Sequence, residues 1–154
     1  MENELVIGSF ASDIAIIYRA EGKSAEAKKY FTKARDVLEA KKLSVASNDF
    51  RILSALGIAY AGLGERQKAL DYGNQARELV PLAKDIFIGM VPLEKMALIH
   101  TLLGDQDEAI QILGQLMQLP FSSGTTNSIP LLKMSPQWIS LRDNPKFKKL
   151  TGES

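Results

Sequence analysis

Three glycines, Gly22, Gly64 and Gly104, recur 42 and 40 residues apart, and each separates two stretches of helical apolar spacing. The middle copy, residues 53–81, reads LSALGIAYAGLGERQKALDYGNQARELVP. Leu53, Leu56, Gly57 and Tyr60 fall at i, i+3, i+4 and i+7, which is one face of a helix. Gly64 suits the end of that helix, because glycine takes the left-handed conformation without penalty. Ala69, Leu70, Ala76 and Leu79 then form the inner face of a second helix, closed by Pro81. The small residues Gly57, Ala69 and Ala76 let the two helices approach closely, with Tyr60 filling the space between them.

The spaced residues carry a resemblance. Leu53, Leu56-Gly57, Tyr60, Gly64, Ala69, Ala76 and Pro81 resemble the tetratricopeptide pattern at its own spacing. Gly73 stands where that pattern has an aromatic, and Leu53 stands in place of its tryptophan. The resemblance implies an all-α chain, an α-α superhelix of about three helix-turn-helix repeats with short C-terminal capping helices. It implies one domain over 1–154, with repeats at approximately 5–42, 50–81 and 92–120 and with a linker and cap over 121–154.

Repeat one follows by alignment of Gly22 with Gly64, which puts Tyr18 on Tyr60, Ala27 on Ala69 and Ala34 on Ala76. Its first helix spans residues 2–21, with Leu5, Ile14, Ile17 and Tyr18 inward. Ser24 is the expected N-cap of the second helix, with Glu26 in its first turn. That helix carries Ala27, Phe31, Ala34 and Leu38 on one face and runs to about Lys42. Residues 82–91 lack a clean helical period, and Pro92 suits the first turn of the next helix. In repeat three, Leu93, Met96, Ala97 and His100 reproduce the spacing of Leu53, Leu56, Gly57 and Tyr60. Gly104 is the turn, and Ala109, Leu113, Leu116 and Leu119 form the last inner stripe before Pro120. The glycine spacing exceeds the usual repeat of about 34 residues, which points to longer helices and linkers.

The tail opens with FSSGTTNS, a linker by composition. Ser135-Pro136 and Asn144-Pro145 then read as caps followed by first-turn prolines, so two short helices presenting Trp138, Leu141, Phe147 and Leu150 are expected. Residues 92–150 resemble the closing segment of tetratricopeptide regions at the C-terminus of larger bacterial regulators, among them adenylate cyclases, serine/threonine kinases and winged-helix regulators. The resemblance rests on Leu103-Gly104, Ala109, Leu116, Pro120, Ser135-Pro136, Trp138, Leu141-Arg142, Asp143, Pro145 and Phe147. It implies a terminal cap, which a repeat array needs because its last apolar face has no neighbour.

Composition bounds the chemistry. A net charge of +1 argues against a dedicated nucleic-acid binder. With no cysteine there is no disulfide framework and no thiol chemistry, and a cytoplasmic setting fits. No apolar run is expected to reach membrane-spanning length, and the acidic start MENELVIGSF lacks the basic opening of a signal peptide. His100, the single histidine, sits at the repeat position of Tyr18 and Tyr60 and is expected to pack. Asp105, Asp107 and Glu108 crowd a helix start, where acids favour the helix dipole. Lys23, Lys28, Lys29, Lys33, Arg35, Lys41 and Lys42 interleave with Glu21, Glu26, Asp36 and Glu39 as a solvated face of charge pairs. The expectation is a non-catalytic chain that needs no metal or cofactor.

In the resembling family, the first helix of each repeat lines a concave groove that grips a peptide. The lining positions fall here on Ser12, Ile16 and Arg19, on Arg51, Ser54, Ile58 and Ala61, and on Glu94, Leu98 and Thr101. Ile16, Ile58 and Leu98 occupy the same place in successive repeats, an apolar strip bordered by Arg19 and Arg51. The strip is either open for a protein or peptide partner, with the arginines drawing an acidic group, or covered by residues 82–91 or 121–134. Serine and isoleucine at these positions argue against a clamp for chaperone C-termini, which uses lysine and asparagine. Self-association as a homodimer is the alternative expectation.

Overall fold

The computed structural model describes residues 3–44, 48–120 and 128–153. Six long helices come first: α1 Asn3–Ala20, α2 Ser24–Ser44, α3 Phe50–Gly62, α4 Arg66–Leu79, α5 Ile86–Leu103 and α6 Gln106–Met117. Two short helices, α7 Ile129–Met134 and α8 Pro145–Leu150, flank a 3-10 helix at Pro136–Leu141. Among the described residues there is no strand. The helices pair as α1 with α2, α3 with α4 and α5 with α6, and α2 and α4 also pack on the first helix of the next pair. This is a helical solenoid of three repeats with a C-terminal cap.

Each repeat turns in the same way. Gly22, Gly64 and Gly104 have φ of 76°, 77° and 86°, the left-handed region where a side chain would be strained. The next residue donates its N–H back to the residue four before the glycine: Lys23 to Tyr18, Glu65 to Tyr60 and Asp105 to His100, at 2.8–2.9 Å. The glycine donates to the carbonyl three before it, which completes a Schellman motif three times over.

One core runs through all repeats, from Ala15 and Phe31 through Leu56 and Ile99 to Trp138 and Phe147. Small residues set how closely its helices approach. A Cβ at Gly73 would lie 2.6 Å from Met96 Sδ, so the missing aromatic is replaced by side chains reaching in from the next repeat. In α1 the buried face is Gly8, Ala11, Ser12, Ala15 and Ile16. Ile14 and Ile17, expected inward, are instead 38% and 48% exposed. The reason is room: a Cβ at Gly8 would sit 2.5 Å from Leu38 Cγ, so α2 comes too near for large side chains on that face.

Three boundaries differ from expectation. Ser24 is the first helical residue of α2 and not its cap. Helix α5 begins at Ile86 rather than near Pro92, because the Asp85 carboxylate accepts from Ile88 N–H at 3.0 Å and starts the helix. Pro92 then lies inside the helix, where its missing N–H removes one internal bond. Within the stretch expected as linker, α7 forms behind the cap Ser128, whose hydroxyl accepts from Leu131 N–H. The remaining residues of that linker, 121–127, lie outside the described residues.

Helix α5 is apolar all round, with a mean hydropathy of 1.6 over Ile86–Leu103. By length and composition it is long and apolar enough to cross a membrane, contrary to the sequence expectation. Its place in the fold explains the composition, since it packs against α3, α4, α6 and the 3-10 helix and is mostly buried.

The cap seats Trp138, Leu141 and Phe147 in the core. Polar ties hold it: Gln106 donates to the Ser140 carbonyl at 3.0 Å, Asn144 donates to Gln106 Oε1 at 2.9 Å, and Lys146 donates to Asp107 at 2.6 Å. On the other side of α3, Glu39 accepts from both Tyr60 (2.8 Å) and Tyr72 (3.0 Å), whose rings stack at 5.7 Å. Burial, then the Glu39 bond, pushes the Tyr72 hydroxyl up to about 12, and Tyr60 moves in the same direction for the same reasons. One carboxylate thus ties α2 to both helices of repeat two.

Candidate partner-binding cleft

The first helices of the three repeats stand side by side, α1 against α3 and α3 against α5. Between them lies a cleft of about 210 Å³ lined by Leu5, Ser9, Ser12 and Asp13, by Arg51, Ser54, Ala55 and Ile58, and by Val91, Lys95 and Leu98. Of the sequence-derived lining, Ser12, Arg51, Ser54, Ile58 and Leu98 meet here. Ile16, Arg19 and Thr101 line a neighbouring depression whose far wall is the 3-10 helix, through Pro136, Gln137, Ile139 and Ser140. Glu94 and Ala61 are buried, at 7% and 1% exposure.

Ile16, Ile58 and Leu98 are each less than a tenth exposed, so they form a floor more than a surface. Both arginines are engaged within the chain. Arg19 donates to the Leu102 carbonyl at 2.9 Å, which fastens α1 to the end of α5. Arg51 pairs with Asp49 at 2.8 Å, and this bond holds the Asp49 carboxyl below its ordinary range. Asp49 also caps α3 through Arg51 N–H.

The polar character of the cleft comes from elsewhere. Ser12 Oγ and Ser54 Oγ, on facing helices, are both buried and have no hydrogen-bond partner within the protein. A buried hydroxyl without a partner costs on the order of 1–3 kcal/mol, so the two serines form a costly polar seam beneath the cleft, below the surface that a ligand reaches. Asp13 and Lys95 carry opposite charges on the wall. Burial raises the Asp13 carboxyl above its ordinary range, and nearby Lys95 opposes the shift. A larger depression of about 560 Å³ beside the α4–α5 link, lined by Arg77, Glu78, Pro81 and Gln115 among others, contains no such orphaned atom.

Leu5, Ser9, Asp13, Ala55, Val91 and Lys95 were not among the sequence-derived positions. Ser9 and Asp13 lie one turn apart around Ser12, so the α1 period contained them. Val91 lies in the part of α5 that was not read as helix, and recognising Asp85 as a cap would have supplied it.

The polar clusters noted in the sequence serve the fold. His100 Nδ1 lies 3.0 Å from Asp105 Oδ2, and the Arg66 guanidinium takes both oxygens of the same carboxylate at 2.8–2.9 Å. Arg66 first, then His100, holds the Asp105 carboxyl low. This links the α5–α6 turn to α4. Among the described residues, no group of three His, Cys, Asp or Glu side chains is placed to hold a metal.

Models of the tetratricopeptide repeat match residues 7–81 and 93–122, which together take in most of the chain. No curated protein and no solved structure matches it. Three Schellman-turned helix pairs, stacked with their first helices side by side, are what the two matched stretches encode. The chain therefore belongs to the tetratricopeptide-repeat family, whose fold serves as a non-catalytic scaffold for protein–protein interaction.

Proposed function

We propose that this scaffold binds a short peptide segment of a protein partner in the cleft between α1, α3 and α5. The observation that carries the reading is the cleft between the three first helices, with an apolar floor of Ile58 and Leu98 beside the oppositely charged Asp13 and Lys95. An apolar side chain would sit on the floor, and a charged one would meet Asp13 or Lys95. With Arg19 and Arg51 already engaged, charge selection falls to Lys95 and Asp13 at the wall. The cleft is short, since the 3-10 helix walls off the neighbouring depression, so the reading is of one or two anchoring side chains and not a long extended strand.

The test is selection from a random peptide library displayed on phage, followed by affinity measurement of the peptides selected. Ile58→Asp should weaken binding by about tenfold or more, a loss of roughly 1.4 kcal/mol. Because Ile58 is buried, Lys95→Glu on the half-buried wall is the second variant, chosen to alter the peptide's charge preference without touching the core. Selected peptides that bind both variants as tightly as the parent chain would refute the cleft as the site.

A further inference from the structure

The solenoid is covered at one end and open at the other. At the covered end, Phe147 of α8 is buried in the core and Leu150 reaches Gly114 of α6. At the open end, α1 exposes Val6 (45%), Ile7 (37%), Phe10 (63%), Ile14 (38%) and Ile17 (48%). Ile7, Phe10, Ile14 and Ile17 are spaced three, four and three residues apart, a single stripe along the helix that faces away from the cleft.

The repeat register shows what kind of surface this is. Phe10, Ile14 and Ile17 correspond to Ile52, Leu56 and Ala59 in repeat two and to Pro92, Met96 and Ile99 in repeat three. All six counterparts are buried. The second helix of the preceding repeat covers them: Ala59 clusters with Ala34 of α2, and Met96 and Ile99 close on Gly73 of α4. The outer face of α1 is thus the same inter-repeat surface, used twice inside the molecule and uncovered a third time. An outer face left to solvent is normally polar in a repeat array, and on α1 five large apolar side chains stand exposed instead.

We infer that this face is the contact between two copies of the chain. A second copy cannot stack head to tail, because α8 already covers the last helix pair. Between two copies, the open face therefore meets the other open face, which gives a closed two-fold dimer and no filament. Antiparallel α1 helices place Ile7 beside Ile17 of the partner and Phe10 beside Ile14 of the partner, with the axis passing between Phe10 and Ile14. Two such faces remove on the order of 1,000 Å² from water, near the lower limit for a specific pair, so the dimer dissociates on dilution. The inference is independent of the peptide reading, since the stripe and the cleft occupy different sides of α1.

Sedimentation equilibrium of the chain from about 1 to 200 μM tests it, with Phe10→Asp/Ile14→Asp and Ile58→Asp as variants. The expected result is a monomer–dimer equilibrium for the parent chain and for Ile58→Asp. The double variant should be monomeric at every concentration, with unchanged helical circular dichroism, because both residues it alters are exposed. A parent chain monomeric throughout would overturn the inference and leave the stripe to a preceding repeat or another protein. A dimer that survives the double substitution would overturn it equally.

Discussion

Glu39 is the residue on which two repeats converge, since its carboxylate accepts from Tyr60 and Tyr72 together. Glu39→Ala leaves the buried Tyr60 hydroxyl without its partner and should lower stability by about 1–3 kcal/mol in chemical unfolding, while Glu39→Gln, which keeps an acceptor, should recover most of the loss. The same pair predicts an alkaline weakness. Both phenols are raised in the fold, Tyr72 to about 12, from an ordinary value of 10.0. Their contribution is complete below pH 10, where folded and unfolded tyrosines are both protonated. It is lost as pH rises from 10 towards 12, because the unfolded tyrosines ionise first. Melting temperature should therefore fall over that range, and Tyr60→Phe/Tyr72→Phe should fall less steeply. At this scale the sequence was legible where residues had repeat partners: Tyr18, Tyr60 and His100 occupy one position and all pack at their turns. It misled where size was taken for burial. Ile14 and Ile17 are large and apolar, yet the buried face of α1 is Gly8, Ala11, Ser12, Ala15 and Ile16, because the close approach of α2 at Gly8 favours small side chains.

Among the elements, α5 and α7 were read least well, and for different reasons. The start of α5 was masked by Pro92, a residue whose usual place is a first turn, while the deciding signal was Asp85, which caps through Ile88. Asp85→Ala should cost about 1 kcal/mol and fray the first turns of α5; hydrogen exchange of the amides from 88 to 91 would then rise while those of α3 stay protected. Loss of protection throughout the chain would instead show that α5 does not open locally. The Pro-led helices of the tail were legible from Ser135-Pro136 and Asn144-Pro145, and the Trp138 they deliver is fully buried. Helix α7 was hidden by the polar run before it, although Ser128 and Pro130 make the same cap-and-proline start. Trp138→Ala should destabilise by about 3–5 kcal/mol, measured by urea unfolding, since it empties a packed site and loosens the cover on α5.

At the scale of the molecule, the glycine register made the architecture readable, because three turns of one kind place three helix pairs in one stack. The cleft was only half legible. Register supplied Ser12, Arg51, Ser54, Ile58 and Leu98, but it could not show that Arg19 binds the Leu102 carbonyl or that the 3-10 helix lines the Ile16 end of the strip. Those are long-range contacts between segments far apart in the chain, and no local pattern encodes them. Peptide docking in the cleft between α1, α3 and α5 can be observed residue by residue. The most direct measurement is an NMR titration of the isotope-labelled chain with a library-selected peptide. Docking in the cleft should give saturable shifts at Ser12, Ser54, Ile58, Lys95 and Leu98, with the outer face of α1 unmoved. Shifts centred on Phe10 and Ile14, or on the depression beside Arg77 and Pro81, with the cleft residues silent, would contradict it.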